Sequence, residues 1–392
     1  MASDGASDAR LPRPVPAAAA SLRAALAAAS ADAAALTPRA PPRVRCPLDP
    51  VAFLRDHVGP RAPALLVGAT ADWPVPPPTS ATALAALAGP SARLTVARTP
   101  DGRADAVSRN GAFMQPLEEA GVPLADLLAS IRAEAADAGH AAARGVSYAQ
   151  RQCSSLAELP GLAASGAVPG ALPWAAAVFG PRAAPDAVNV WIGGAASVTA
   201  WHRDAYENVV RGWWVRWGGA GGRPRALPSP PPPPSSLKAV VLSGTKTFHL
   251  LPPGDGWRLA LAQRPAATWG RGAGGAWVPA CDDPPRRVRW AGAPPPPPHA
   301  VPGIDADPAA FPDLYGPAGA GLPGPVSVAV RAGDGLYLPP LTWHCVTQAG
   351  PAPGEPCVSV NYWHDMAFDG RWAAAELADV RLAAQLGEGG DG

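Results

Sequence analysis

Between residues 187 and 363 the chain is a run of short segments rich in β-branched and aromatic residues. Each is cut off by a Gly or Pro turn, and this cadence limits the folds open to it. Ala187-Val188-Asn189-Val190-Trp191-Ile192-Gly193 opens the series, followed by Ser197-Val198-Thr199-Ala200-Trp201-His202-Arg203-Asp204. A Ser243-Gly244 turn is read as joining 239–242 to 246–251 in a hairpin, and Ala332-Gly333-Asp334-Gly335 as joining the pair 326–331 and 336–338. Residues 343–348 and 357–363 follow. Strand-sized runs joined by tight turns predict an antiparallel sandwich or barrel.

The preceding stretch has a mixed texture. A helix start is expected at 49–54, where Pro50 suits the first turn, and strands at 64–67, 94–97 and 147–152. Residues 124–136 carry apolar side chains at 124, 127, 128 and 131, a helical period. Ala17–Leu36 is alanine-dominated and helix-prone, and 372–386 reads as a closing helix. The expected organisation is an Ala/Pro-rich tail over 1–45, an α/β flank over 46–186, a barrel over 187–366, and a C-terminal helix and tail over 367–392.

The 42 Gly and 52 Pro of 392 residues are concentrated rather than uniform. Residues 211–236 and the five prolines 294–298 hold long proline runs, which cannot sit in a central strand because they donate no ladder hydrogen bonds. The first run belongs to an insertion, 209–238, which interrupts what reads as one strand from Tyr206 to Val241. With 32 Lys+Arg against 31 Asp+Glu, net charge is +1, which leaves no basic footprint for nucleic acid and no polybasic membrane anchor. No unbroken apolar run is long enough to span a bilayer. The five scattered cysteines form neither a disulfide framework nor a zinc motif, so a reducing compartment is expected. Asp4, Asp8 and Asp32 speak against a transit peptide, which makes the expected location cytoplasmic, with a nuclear one left open.

The sharpest chemical signal is His202-x-Asp204. In an extended strand, residues two apart share a face, so an imidazole and a carboxylate can reach one ion. His344 follows a Gly-Asp-Gly turn and a short strand well downstream. Two histidines and a carboxylate with open coordination positions are the donor set of non-haem Fe(II) oxygenases. The other histidines (57, 140, 249, 299 and 364) are expected in surface or capping roles. Lys246 has two readings: a solvent-facing lysine, or the cation that a buried distal carboxylate of 2-oxoglutarate requires.

Several motifs together resemble the jumonji-C (JmjC) oxygenases. They are Asp186-Ala187-Val188-Asn189, Val198–Asp204, Tyr206-Glu207-Asn208, Ser243-Gly244-Thr245-Lys246 and Leu336-Tyr337-Leu338-Pro339. More narrowly the chain is similar to the jumonji-domain protein 7 group of lysyl hydroxylases. That likeness extends to Thr99–Val107, Phe113–Pro116, Tyr148–Ser154 and Val360–Met366, and covers 46 to 385 apart from the insertions. The resemblance implies a mainly β fold, a double-stranded β-helix (a jelly-roll, cupin-like barrel) with N-terminal flanking helices and a C-terminal helix. It implies that His202, Asp204 and His344 hold Fe(II), and that Lys246, helped by Thr199 and Tyr148, binds the far carboxylate of 2-oxoglutarate. Asn208 and Asn361 would line the same pocket, and O2 would be the co-reactant. It further implies a homodimer through C-terminal helices and C3 hydroxylation of a lysine in a protein substrate, a developmentally regulated GTP-binding protein. Peptidase activity on basic histone tails is also ascribed to the group, although this sequence has no HExxH-type arrangement. A different reading is a non-catalytic scaffold, inactivated by the strand insertion.

The insertion departs from the family pattern, in which the Tyr-Glu-Asn strand runs almost directly into the Ser-Gly turn. Residues 209–238 begin with Val, whose codons start with GT, and end in Pro-Pro-Pro-Pro-Pro-Ser-Ser-Leu-Lys, compatible with a pyrimidine-rich tract and a terminal AG. The stretch reads like a translated intron; if it is protein, it must loop out beside the metal-ligand candidates. Transcript sequencing is expected to find a mature message that joins the codons of Asn208 and Ala239; retention of the stretch in every read would reject the idea.

Overall fold

In the computed structural model the central apolar run forms the strand Leu237–Ser243. The structure describes residues 17–36, 40–137, 143–180, 184–204, 237–297, 307–316 and 322–364, with positions 139, 299, 370, 372–375, 377 and 378 besides. Side chains of this strand alternate between two cores. Ala239 and Val241 pack with Phe248, Leu250, Val330 and Val346; Val240 and Leu242 join a cluster that holds the helix residues Leu127 and Ile131. A strand covered on both faces is apolar at every position, which explains the unbroken Ala-Val-Val-Leu run.

Two sheets build the barrel. The first has the order Arg43–Arg45, Ala64–Val67, Gly335–Tyr337, Leu237–Ser243, Cys357–Trp363, Ala187–Gly193, Val146–Ala149, Arg93–Thr99, Leu117–Pro123. The second has the order Val326–Arg331, Thr245–Leu251, Trp343–Ala349, Val198–Arg203, Arg103–Ala104. Strands that follow one another in the chain mostly alternate between the sheets, and the two inner faces share one core. This is the jelly-roll, cupin-like architecture that the sequence predicts.

The topology corrects two local readings. Ser243-Gly244 does not close a hairpin: Leu237–Ser243 lies in the first sheet and Thr245–Leu251 in the second, paired with Val326–Arg331 and Trp343–Ala349. Gly244 is a corner between layers, with φ +79°, and a Cβ there would stand 2.3 Å from the carbonyl oxygen of Ala349. The turn after Arg331 likewise carries the chain across to Gly335–Tyr337. Local sequence shows that a turn exists but not whether its two arms pair. The strand Leu237–Ser243 also starts two residues inside the segment read as an insertion, with Leu237 opposite Tyr337 and Tyr362; residues 209–236 lie outside the described residues.

The flank is joined to the barrel by shared sheets. The helix Leu124–Ala136 buries Leu124, Leu127, Leu128 and Ile131, the stripe expected of its period. The helix Ala17–Leu36 is pinned by Ser30, which donates to Asp255 at 2.7 Å, and by Arg23, which lies 3.5 Å from Asp313. Described positions between 370 and 378 are helical, within or next to the closing helix read at 372–386. Pro294 has a structural task, accepting hydrogen bonds from Trp201 at 3.0 Å and Tyr315 at 2.8 Å.

Three histidines correct the surface assignment. His57, His249 and His364 are buried. His57 packs on Phe53, His364 on Phe179, and His249 Nδ1 lies 2.9 Å from Ser327 Oγ. His299 is exposed, and His140 lies outside the described residues.

Leu242 is fully buried, so Leu242→Ala is expected to lower the free energy of urea unfolding by about 2–5 kcal/mol. Leu377→Ala, at a site 56% exposed, is expected to change it by less than about 0.5 kcal/mol.

Candidate metal centre

The centre is made by one cross-strand pair and the residue after a strand end. Val198–Arg203 runs antiparallel to Trp343–Ala349 with His202 directly opposite His344, and the ring centroids are 4.0 Å apart. A bulge between Thr199 and His202 sets which side chains of this strand turn inward. Asp204 follows the strand, its Oδ1 3.5 Å from His202 Nε2 and its Oδ2 3.7 Å from His344 Nε2. One ligand atom from each of the three residues lies within 4.8 Å of the others.

The ring tautomers follow from the partners. His202 Nδ1 lies 2.8 Å from the carbonyl oxygen of Ala200, and His344 Nδ1 lies 2.9 Å from that of Thr342. A carbonyl only accepts, so each Nδ1 carries the proton and each Nε2 turns a lone pair towards the carboxylate. Two imidazole lone pairs and a carboxylate oxygen therefore face one point, with side chains 10%, 11% and 0% exposed for His202, Asp204 and His344. Buried lone pairs arranged this way are satisfied by a divalent cation, and two nitrogens with one oxygen suit Fe(II) among others.

Lys246 stands on the same inner surface. It is 5% exposed, donates to the Tyr148 hydroxyl at 3.1 Å and lies 5.0 Å over the Trp191 ring. Burial pulls its ammonium down to about 8, partly opposed by the nearby Cys357 thiol. Burial also pushes the Tyr148 phenol well up, while a hydrogen bond with Thr199 acts the other way. Among the described residues no carboxylate pairs with Lys246. Thr199, Lys246, His202, His344 and Asn361 line one cavity of about 30 Å³, so the structure gathers these expected site residues. Asn208 lies outside the described residues.

Sequence reasoning missed Trp191, Gln152 and Ser359, which line the same cavity. Ser359 was findable, being two residues before Asn361 on a strand and so on the same face. Among the described residues, Ser359 Oγ and Asn361 Oδ1 are buried and without a hydrogen-bond partner. Trp191 sits in a strand buried on both faces, and Gln152 follows a strand end, where no periodic signal exists.

Fold and centre together define a cupin with a His-Asp-His group that could hold a metal ion. Residues 50–370 match the family described as a cupin-like domain, and the chain belongs to the cupin-like JmjC oxygenase family. It is 33% identical over 343 residues to the human bifunctional peptidase and (3S)-lysyl hydroxylase JMJD7, covering 87% of this chain and 89% of that protein. It is 30% identical over 329 residues to the lysine-specific demethylase JMJ32 of Arabidopsis thaliana, covering 83% and 81%. JmjC domain-containing protein E of Dictyostelium discoideum is 28% identical over 191 residues, covering 47% and 43%. JmjC domains typically use Fe(II) and 2-oxoglutarate. Among the described residues, no helix is long and apolar enough to cross a membrane.

The buried lysine sets a pH dependence. Its folded value, about 8, lies below its ordinary 10.5, so the unfolded chain binds more protons between those limits. Stability without ligand is then expected to rise with pH across that window, and Lys246→Met to flatten the rise and add about 1–3 kcal/mol at pH 7. Urea unfolding at pH 7 and above 9 measures both effects.

Proposed function

We propose that the protein is an Fe(II)- and 2-oxoglutarate-dependent protein hydroxylase that acts at C3 of a lysine in a protein substrate, a GTP-binding protein. The carrying observation is the convergence of three ligand atoms within 4.8 Å beside a buried lysine that has no acidic partner among the described residues. Fe(II), when bound, supplies O2 activation coupled to oxidative decarboxylation of 2-oxoglutarate, the chemistry that places oxygen on an unactivated C–H bond.

The chain's own part is binding and orientation. His202, Asp204 and His344 would hold the metal through three ligands and leave the remaining positions open for the cosubstrate and O2. Lys246 would neutralise the far carboxylate, with Tyr148 and Thr199 hydrogen-bonded around it and Asn361 at the wall. That carboxylate raises the ammonium's proton affinity and keeps it charged.

Lysine as the target rests on the names of two relatives, one a lysyl hydroxylase and one a lysine-specific demethylase. A homodimer and a cytoplasmic location belong to the same proposal, the latter on the five free cysteines. A second reading is a non-catalytic scaffold, because the insertion 209–238 falls between Asn208 and Lys246 of the expected site.

Incubation with Fe(II), 2-oxoglutarate and a lysine peptide from a GTP-binding protein is expected to add about 16 Da to the lysine by mass spectrometry. Loss of methyl groups from a methylated peptide, without that gain, would show demethylation instead. His202→Ala and Asp204→Ala are each expected to abolish succinate production; unchanged production in either removes the assignment. A scaffold would show no rise in melting temperature when Mn(II) and 2-oxoglutarate are added together.

A further inference from the structure

We propose that Leu341 is a positioning residue whose left-handed backbone ties two metal ligands to each other. The inference rests on reading His202, Asp204 and His344 as the metal centre. Pro339 and Pro340 have no N–H, so the first amide after Leu338 that can donate is that of Leu341. It donates to the backbone carbonyl of Asp204 at 3.0 Å. One residue on, the carbonyl of Thr342 accepts the Nδ1 proton of His344 at 2.9 Å. The two-residue segment Leu341-Thr342 thus joins the segment carrying the carboxylate to the tautomer of an imidazole on another strand.

That geometry depends on φ of Leu341, which is +65°. In this region the Cβ of an ordinary residue crowds the backbone, whereas Gly and Asn enter it readily. Leucine is an unexpected occupant, and its side chain is only 3% exposed, so packing holds the turn in place. A relaxed, negative φ would rotate the amide away from Asp204 and carry the Thr342 carbonyl away from His344. Ligand orientation would then be lost although every ligand remained. Leucine at this position converts packing energy into ligand geometry.

The test separates backbone from packing. Leu341→Ile keeps the atoms of leucine but is β-branched and poorly suited to positive φ; Leu341→Asn and Leu341→Gly suit positive φ but lose the apolar side chain. Mn(II) affinity is measured for each by electron paramagnetic resonance titration, with thermal unfolding recorded alongside. Expected are a weakening of about tenfold or more for Leu341→Ile with a changed Mn(II) line shape, and affinities within about threefold of wild type for Asn and Gly. Retention in Asn and Gly supports the proposal even if the Ile variant does not fold. Loss in both, or wild-type affinity in Ile, overturns it and assigns Leu341 to packing. A wild-type protein that binds no Mn(II) overturns the metal centre as well, whereas normal wild-type binding with the opposite variant order overturns this inference alone.

Discussion

The register between Val198–Arg203 and Trp343–Ala349 is the constraint on which the site depends. It sets His202 opposite His344, and side chains alternate faces along a strand, so a slip of one residue would send one imidazole out of the cavity. The same strand Trp343–Ala349 is paired on its other side to Thr245–Leu251, with Lys246 opposite Gln348 and Leu250 opposite His344. One strand therefore fixes both the metal ligand and the distance along the barrel to the buried cation. Phe248, Leu250 and Val346 pack on that strand pair, so the core that stabilises the barrel also holds the register.

The charges of the site are arranged for ligands rather than for one another. Asp204 presents its carboxylate to two imidazoles whose protons already point elsewhere, and Lys246 is buried against a phenol and an indole. Moving either carboxylate or ammonium out of water without a counter-charge is costly, and pairing them would be the cheaper native solution. Lys246 instead lines a cavity with His202 and His344 and has no acidic partner among the described residues, as the proposed distal anion would require. Burial without an acidic partner pulls the lysine down to about 8.

Much of the site was legible in the sequence because its elements are local. His202 and Asp204 share a strand face or its immediate continuation, and His344 announces itself by the Gly-Asp-Gly turn and strand before it. Strand positions were legible for the same reason, but their pairing was not. Ser243-Gly244 looks like a hairpin turn, whereas its arms lie in different sheets, a fact decided by packing across the barrel rather than by the turn residues. The strand Leu261–Arg271 escaped notice because Gly and Pro interrupt it, yet it pairs with Trp277–Cys281 along one half and Arg287–Ala291 along the other. Buried histidines such as His249 were misplaced because alternation puts them opposite Lys246, and that face is covered too.

The division between flank and barrel therefore has little meaning at the centre itself. Val198 and Thr199, on the strand that carries His202, pair in parallel with Arg103 and Ala104 of the flank. Tyr148, the hydrogen-bond partner of Lys246, lies on a flank strand paired to Gly193 of the barrel. Gln152, from the same flank segment, lines the cavity with the two histidines. A barrel of residues 187–366 alone would keep His202, Asp204 and His344 but lose the hydrogen-bond partner of Lys246 and leave one edge of Ala187–Gly193 unpaired. In the proposed reading the three donors would set where an oxygen atom is delivered, and the flank, through Tyr148 and Gln152, would shape what is held beside them.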